Sequence, residues 1–215
     1  MARMELKFKH ISVEGPIGVG KSTLAKILAR KTESRLIEEE SLNPFLSDFY
    51  QGKRGAAFQC QLYFLLMRYQ QMSSIVQPTL FEKTLICDYI VEKELIFAQL
   101  TLDDKELFIH RKLYNLLLSP LPRPEAVIYL QATTDVLKKR IKKRNRDTEK
   151  NISDEYIEKL NEAYNYFFFH YKLTPLLIVN VNDVDFEKKP DELDRLISMI
   201  NSLEYGVMLY NPLAS

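Results

Sequence analysis

The stretch ISVEGPIGVGKSTLAKIL, residues 11–28, constrains this chain more than any other. A run of β-branched and apolar residues stops at Gly15. Four residues intervene before Gly20, Lys21 and Ser22, and a helical pattern through Leu24, Ile27 and Leu28 follows at once. Glycines let the backbone turn its N–H groups inward, the lysine adds a positive charge, and the hydroxyl can ligate Mg²⁺. The helix that starts here points its positive end at the same place. Gly15, Pro16, Ile17, Gly18, Val19, Gly20, Lys21, Ser22 and Thr23 therefore form a cradle for nucleotide phosphates, with Ser22 as a candidate metal ligand.

The rest of the chain repeats the alternation of strand and helix. Apolar runs at 35–38, 84–88, 126–131 and 176–181 read as strands. Helical patterns occupy 56–76, 93–117 with a break near Thr101, 134–143, 153–171 and 191–203. Such alternation predicts an α/β fold, a parallel sheet with helices on both faces, in one domain over 1–215 with no linker. The polar segment after 38 reads as a loop. In sheets of this kind ligands sit beyond the carboxyl ends of the strands, which singles out Gly15, Glu38 and Asp88.

Composition removes several classes of function. The formal net charge of +1 gives no global field for nucleic acid or an acidic membrane. No run of apolar residues is long enough to span a bilayer, and the basic start MARMELKFKH lacks the apolar core of a secretory signal. The two cysteines, Cys60 and Cys87, sit inside apolar runs and read as core packing. A cytoplasmic protein is expected.

Phosphate binding alone does not define a reaction. No Asn-Lys-x-Asp for reading guanine is present, and a motor or AAA-type ATPase would normally be larger. A small phosphotransferase needs a base, an acceptor pocket and a cationic lid. Glu38, Glu39 and Glu40 follow the second strand, and a carboxylate there can accept a hydroxyl proton or form a solvated turn. Gln59 offers a donor and an acceptor together, which suits a nucleobase edge; Gln61 faces differently. Phe97 can stack on a base or fill the core, and Asp88 can hold Mg²⁺ opposite Ser22 or cap a helix. In RIKKRNRD, Arg140 and Arg144 share a helix face and Arg146 lies just beyond. Such a run is a solvated surface or a lid that neutralises charge on a transferred phosphoryl group.

Further stretches stand in a definite order: EEESLNPFLSDFY at 38–50, AFQCQLYFLLMRY at 57–69, CDYIVEKELIFA at 87–98, VIYLQA at 127–132, RIKKRNRDTE at 140–149 and LNEAYNYFFFHY at 160–171. With EGPIGVGKST at 14–23 they resemble the bacterial deoxynucleoside kinases of the deoxyadenosine/deoxyguanosine kinase group, over about 7–186. The resemblance implies a P-loop kinase fold with a five-stranded parallel sheet in the order 2-3-1-4-5, an arginine-rich lid near 140–152, and a homodimer. It implies transfer of the ATP γ-phosphate, with Mg²⁺, to the 5′-hydroxyl of a deoxynucleoside, a purine being favoured. It assigns Glu38 as general base, Gln59 to the nucleobase and Phe97 to packing on it. Tyr50 and Glu149 go to the sugar 3′-hydroxyl, Asp88 to metal and substrate, Arg140 to the nucleotide, and Lys21, Arg144 and Arg146 to the transferred phosphate. The chain departs from many relatives in Asp88-Tyr89-Ile90, where an acid-Arg-Ser is common, and in Glu39, where a proline is common. Lys93 sits where relatives carry a base-specificity residue; an ammonium there suits guanine O6 or N7, and the plainer reading is an ordinary surface lysine. The competing readings are a nucleoside monophosphate kinase of thymidylate type and a nucleotide-binding module without turnover.

Overall fold

β1 (His10–Glu14) lies at the middle of the sheet, which explains why four of its five residues are buried. A strand covered on both faces has no solvent side to alternate toward, and HISVE accordingly puts Ile11 and Val13 against one core and Ser12 and Glu14 against the other. The computed structural model describes residues 5–39, 42–74 and 84–212. Among them, α1 (Lys21–Thr32) follows β1 through the phosphate loop, and then come β2 (Arg35–Ile37), α2 (Leu46–Tyr50) and α3 (Ala56–Ser73). After β3 (Leu85–Cys87) stand α4 (Lys93–Thr101), α5 (Asp104–Leu117), β4 (Ala126–Gln131) and α6 (Thr134–Arg144). A 3₁₀ turn at Asp147–Glu149 leads to α7 (Asp154–Phe169), β5 (Leu176–Asn180), α8 (Pro190–Ser202) and β6 (Val207–Tyr210).

All strand pairs are parallel, in the order β2-β3-β1-β4-β5-β6. The first five strands take the expected order, and a sixth extends the expected five-stranded sheet at the β5 edge. β6 is short and alternates exposed with half-buried residues, so it carries no apolar run to betray it. α2 is likewise not legible as a helix. It has five residues, none buried, and follows Asn43-Pro44 in a segment that reads as loop. The helix expected over 56–76 ends at Ser73, and Ile75 and Val76 lie outside the described residues, as does Glu40.

The break expected near Thr101 is a capping box. Asp103 Oδ1 accepts from the N–H groups of Lys105 and Glu106, both at 2.9 Å, and Glu106 Oε2 accepts from the Asp103 N–H at 3.3 Å. One apolar core joins β1, β4 and β5 to α1, α6 and α8. On the other face, α4 and α7 pack over β4 through a stack in which the Tyr129 and Phe168 ring centroids lie 4.0 Å apart. No helix among the described residues is long and apolar enough to cross a membrane.

Candidate active site

The phosphate loop is fixed from beneath. Glu14, fully buried at the end of β1, accepts the N–H of Gly15 at 2.8 Å and of Ile90 at 3.0 Å, and the Tyr164 hydroxyl at 3.3 Å. Gly15 is required by space: a Cβ there would lie 2.6 Å from the Leu130 carbonyl oxygen. Gly20, at φ +108°, takes a left-handed conformation just before α1 begins. Lys21 Nζ donates to the carbonyls of Gly15 at 2.7 Å and Pro16 at 3.3 Å. Burial and the nearby Lys93 charge both lower its pKa.

Asp88, only 2% exposed, sits just past β3. Its Oδ2 accepts from Ser22 Oγ at 2.5 Å and its Oδ1 from the Glu39 N–H at 2.5 Å. These are hard oxygen donors from two elements, and they fit Mg²⁺, which takes one or two protein oxygens and completes its shell with phosphate and water. Among the described residues no group of three or more His, Cys, Asp or Glu is placed to cage a metal.

A cavity of about 550 Å³ opens beside this pair, within the size range of small-molecule sites. Lys21, Ser22 and Asp88 line one end, Gln61 and Phe97 the interior, and Tyr50, Arg144, Arg146 and Glu149 the lid side. The structure thus brings together most of the residues singled out in the sequence.

Two of the expected residues lie away from the interior of the cavity. Gln59 is exposed and does not line the cavity; the glutamine that does is Gln61, 3% exposed. Two residues along a helix are about 200° apart, so only one of the pair can face inward. Gln61 shares its face with Phe64 and Arg68, at i, i+3 and i+7, and all three line the cavity.

The second concerns the acids Glu38 and Glu39, both of which line the cavity. Glu38 is at the rim, half exposed, paired with Lys26 at 2.6 Å. Glu39 turns inward. Its carboxylate receives Lys93 Nζ at 2.9 and 2.7 Å and pairs with Arg68. Burial pushes the Glu39 carboxyl up, but Lys93, Arg68 and Lys21 together outweigh burial and hold it well below the usual carboxylate range. The run of three glutamates carries no signal that separates them.

The departures from the family pattern acquire places. Tyr89 is buried, and its hydroxyl donates to Gln71 Oε1 at 2.6 Å, while Gln71 Nε2 donates to the Glu38 carbonyl at 2.9 Å. Tyr89 therefore helps hold the segment that carries Glu39. Lys93 is no surface lysine; it is 4% exposed and engaged by Glu39.

On the lid side, Arg144 holds Glu149 through two hydrogen bonds, at 3.2 and 2.6 Å. Tyr50 packs on Tyr156 with ring centroids 6.0 Å apart. Arg140 does not line this cavity. It ties the loop to β5, donating to the Val19 carbonyl at 3.0 Å and the Val181 carbonyl at 2.6 Å.

A sequence model of the deoxynucleoside kinase family matches residues 11–203. The chain is 39% identical over 156 residues to a deoxyguanosine kinase of Bacillus subtilis (strain 168), covering 72% of this chain and 75% of that one. It is 33% identical over 218 residues to a deoxyadenosine kinase of Dictyostelium discoideum, covering 95% and 88%. In structure it is similar to the deoxyadenosine kinase from M. mycoides with dCMP and dCDP bound, at TM-score 0.76 and 25% identity over 89% of this chain and 98% of that one. The same kinase with bound dATP gives a TM-score of 0.75. With the family model matching most of the chain and relatives 39% and 33% identical to it, the chain belongs to the deoxynucleoside kinase family and is an ATP-dependent phosphotransferase.

Proposed function

We propose that this kinase phosphorylates a purine deoxynucleoside, deoxyadenosine above deoxyguanosine, on its 5′-hydroxyl. The single observation behind the choice of base is Gln61. A buried carboxamide pairs one donor with one acceptor, and adenine presents the complement in its N6 amino group and N7. Guanine offers N7 and O6 as two acceptors, and the ammonium that would suit them, on Lys93, is taken by Glu39.

ATP lies on residues 15–23. Ser22 and Asp88 would hold Mg²⁺, which would supply charge neutralisation at the phosphates. Lys21 is the point charge for the outer phosphates once they displace its bonds to the Gly15 and Pro16 carbonyls. Glu39, rather than Glu38, accepts the proton of the 5′-hydroxyl. Phe97 packs against the base, while Tyr50 and Glu149 hold the sugar 3′-hydroxyl. Arg144 and Arg146, on a lid near 140–152, offset charge on the transferred group and exclude water. A monophosphate kinase would need a cation free for the acceptor's phosphate. The acceptor wall offers Arg68, which Glu39 and Glu94 already occupy.

The chain works in this reading as one cytoplasmic domain over 1–215, and as a homodimer. An apolar cavity of about 690 Å³ lies along α4 and α7, lined by Leu95, Leu100, Tyr166 and Leu173 among others. Tyr166 is 72% exposed there, area a second copy would cover. The test of the function is a panel of the four deoxynucleosides, dAMP and dTMP with ATP-Mg²⁺, scored by product. Deoxyadenosine should turn over fastest and the monophosphates not at all. Phosphorylation of dTMP or dAMP in preference to any nucleoside would overturn the reading.

A further inference from the structure

Two cations meet the Glu39 carboxylate, and they are held differently. Arg68 of α3 also pairs with Glu94, which is fully buried and bonded to His110 Nε2 at 3.1 Å. Arg68 is thereby fixed from behind by α4 and α5. Lys93 opens α4, and among the described residues Glu39 is the carboxylate it pairs with. Its Nζ reaches both Glu39 oxygens and lies 5.6 Å from the centre of the Phe97 ring. Lys21 of the phosphate loop senses both Glu39 and Lys93, so the three charges share one end of the cavity.

We propose that Lys93 is the positioning residue for the base of this reaction, holding the Glu39 carboxylate at the phosphate-loop end of the cavity, turned toward the 5′-hydroxyl. The assignment rests on the reading of Glu39 given above. Without Lys93, Glu39 would keep the distal Arg68 and would swing toward α3. The step itself is balanced on the chain's own groups and ATP. The 5′ oxygen bonds to the γ-phosphorus and the bond to the β,γ-bridging oxygen breaks. ADP leaves with that electron pair, and the hydroxyl proton passes to Glu39. The charged groups facing Glu39 are Lys93 of α4, Arg68 of α3, Lys21 of α1 and Asp88 after β3. Lys93 reaches both Glu39 oxygens, and its removal frees the carboxylate to leave that end of the cavity.

The test compares full-length wild type, Lys93→Gln and Lys93→Arg with ATP and deoxyadenosine, with thermal melts to confirm folding. Lys93→Gln should lower kcat by about 100-fold and leave the nucleoside KM within about threefold. Lys93→Arg should recover most of kcat. A raised nucleoside KM with unchanged kcat in Lys93→Gln would make Lys93 a base reader and overturn the proposal. So would a lowered kcat with no recovery in Lys93→Arg, which marks a merely structural role. Wild type that phosphorylates none of the four deoxynucleosides would instead overturn the functional reading, and the assignment with it.

Discussion

Ser22 Oγ donates a 2.5 Å hydrogen bond to Asp88 Oδ2, joining the phosphate loop to the end of β3 across 66 residues of chain. In the proposed reading these two oxygens are the ones that would hold a magnesium ion on the nucleotide. Asp88→Asn keeps the shape and removes the charge. It should lower kcat/KM by about 100-fold and raise the Mg²⁺ concentration needed for half-maximal rate. A magnesium titration of the variant checks this, and unchanged magnesium dependence would make Asp88 a helper of the loop only.

Gln61→Ala removes the amide from the cavity wall, whereas Gln59→Ala alters an exposed side chain. The first should raise the deoxyadenosine KM by roughly tenfold, the worth of one or two hydrogen bonds to a buried group, and the second should change it little. Gln61→Glu exchanges the donor for a second acceptor. It should shift preference toward deoxyguanosine, whose N1–H and N2 amino group are two donors.

What the sequence could show here depended on scale. The loop at 15–23 and the first five strands were legible because buried parallel strands are continuous apolar runs and the phosphate cradle has fixed spacing. Which face of α3 and which of three glutamates looks inward was not, since both hinge on rotation by a residue or two. FQCQ offers two glutamines and EEE three acids, and only tertiary packing separates Gln61 from Gln59 and Glu39 from Glu38. α2 and β6 escaped because neither buries a periodic face. Lys93 and Arg68 read as ordinary helix charges, since their partners lie 54 and 29 residues away.

Acid should weaken the fold before it titrates the carboxylates. Burial pushes His10 down to about 4 against the opposing pull of Glu125, and burial together with Arg68 pushes His110 down to about 4. Both begin from 6.5 in the unfolded chain. Between pH 6.5 and about 4 the unfolded chain therefore binds protons that the folded one does not, so stability falls as pH falls through that window. Each tenfold weakening of proton binding by a histidine on folding costs about 1.4 kcal/mol once the pH has dropped below that window. Urea melts at pH 7 and pH 5 check it, and His110→Gln should flatten the slope.

Tyr166→Glu puts a charge on the apolar surface along α7. Sedimentation should show wild type as a dimer at micromolar concentration and the variant as a folded monomer. A monomeric wild type would show that this surface serves something other than a second copy.

The inward turn of Glu39 is the centre of the proposed chemistry, and a paired substitution tests it most directly. Steady-state kinetics with ATP and deoxyadenosine would be measured for Glu39→Gln and Glu38→Gln, with nucleoside binding measured separately. Glu39→Gln should bind deoxyadenosine while losing about 10²–10⁴-fold in kcat, and Glu38→Gln should stay within about threefold of wild type. Near-normal turnover in Glu39→Gln, with the loss falling on Glu38→Gln, would contradict the account.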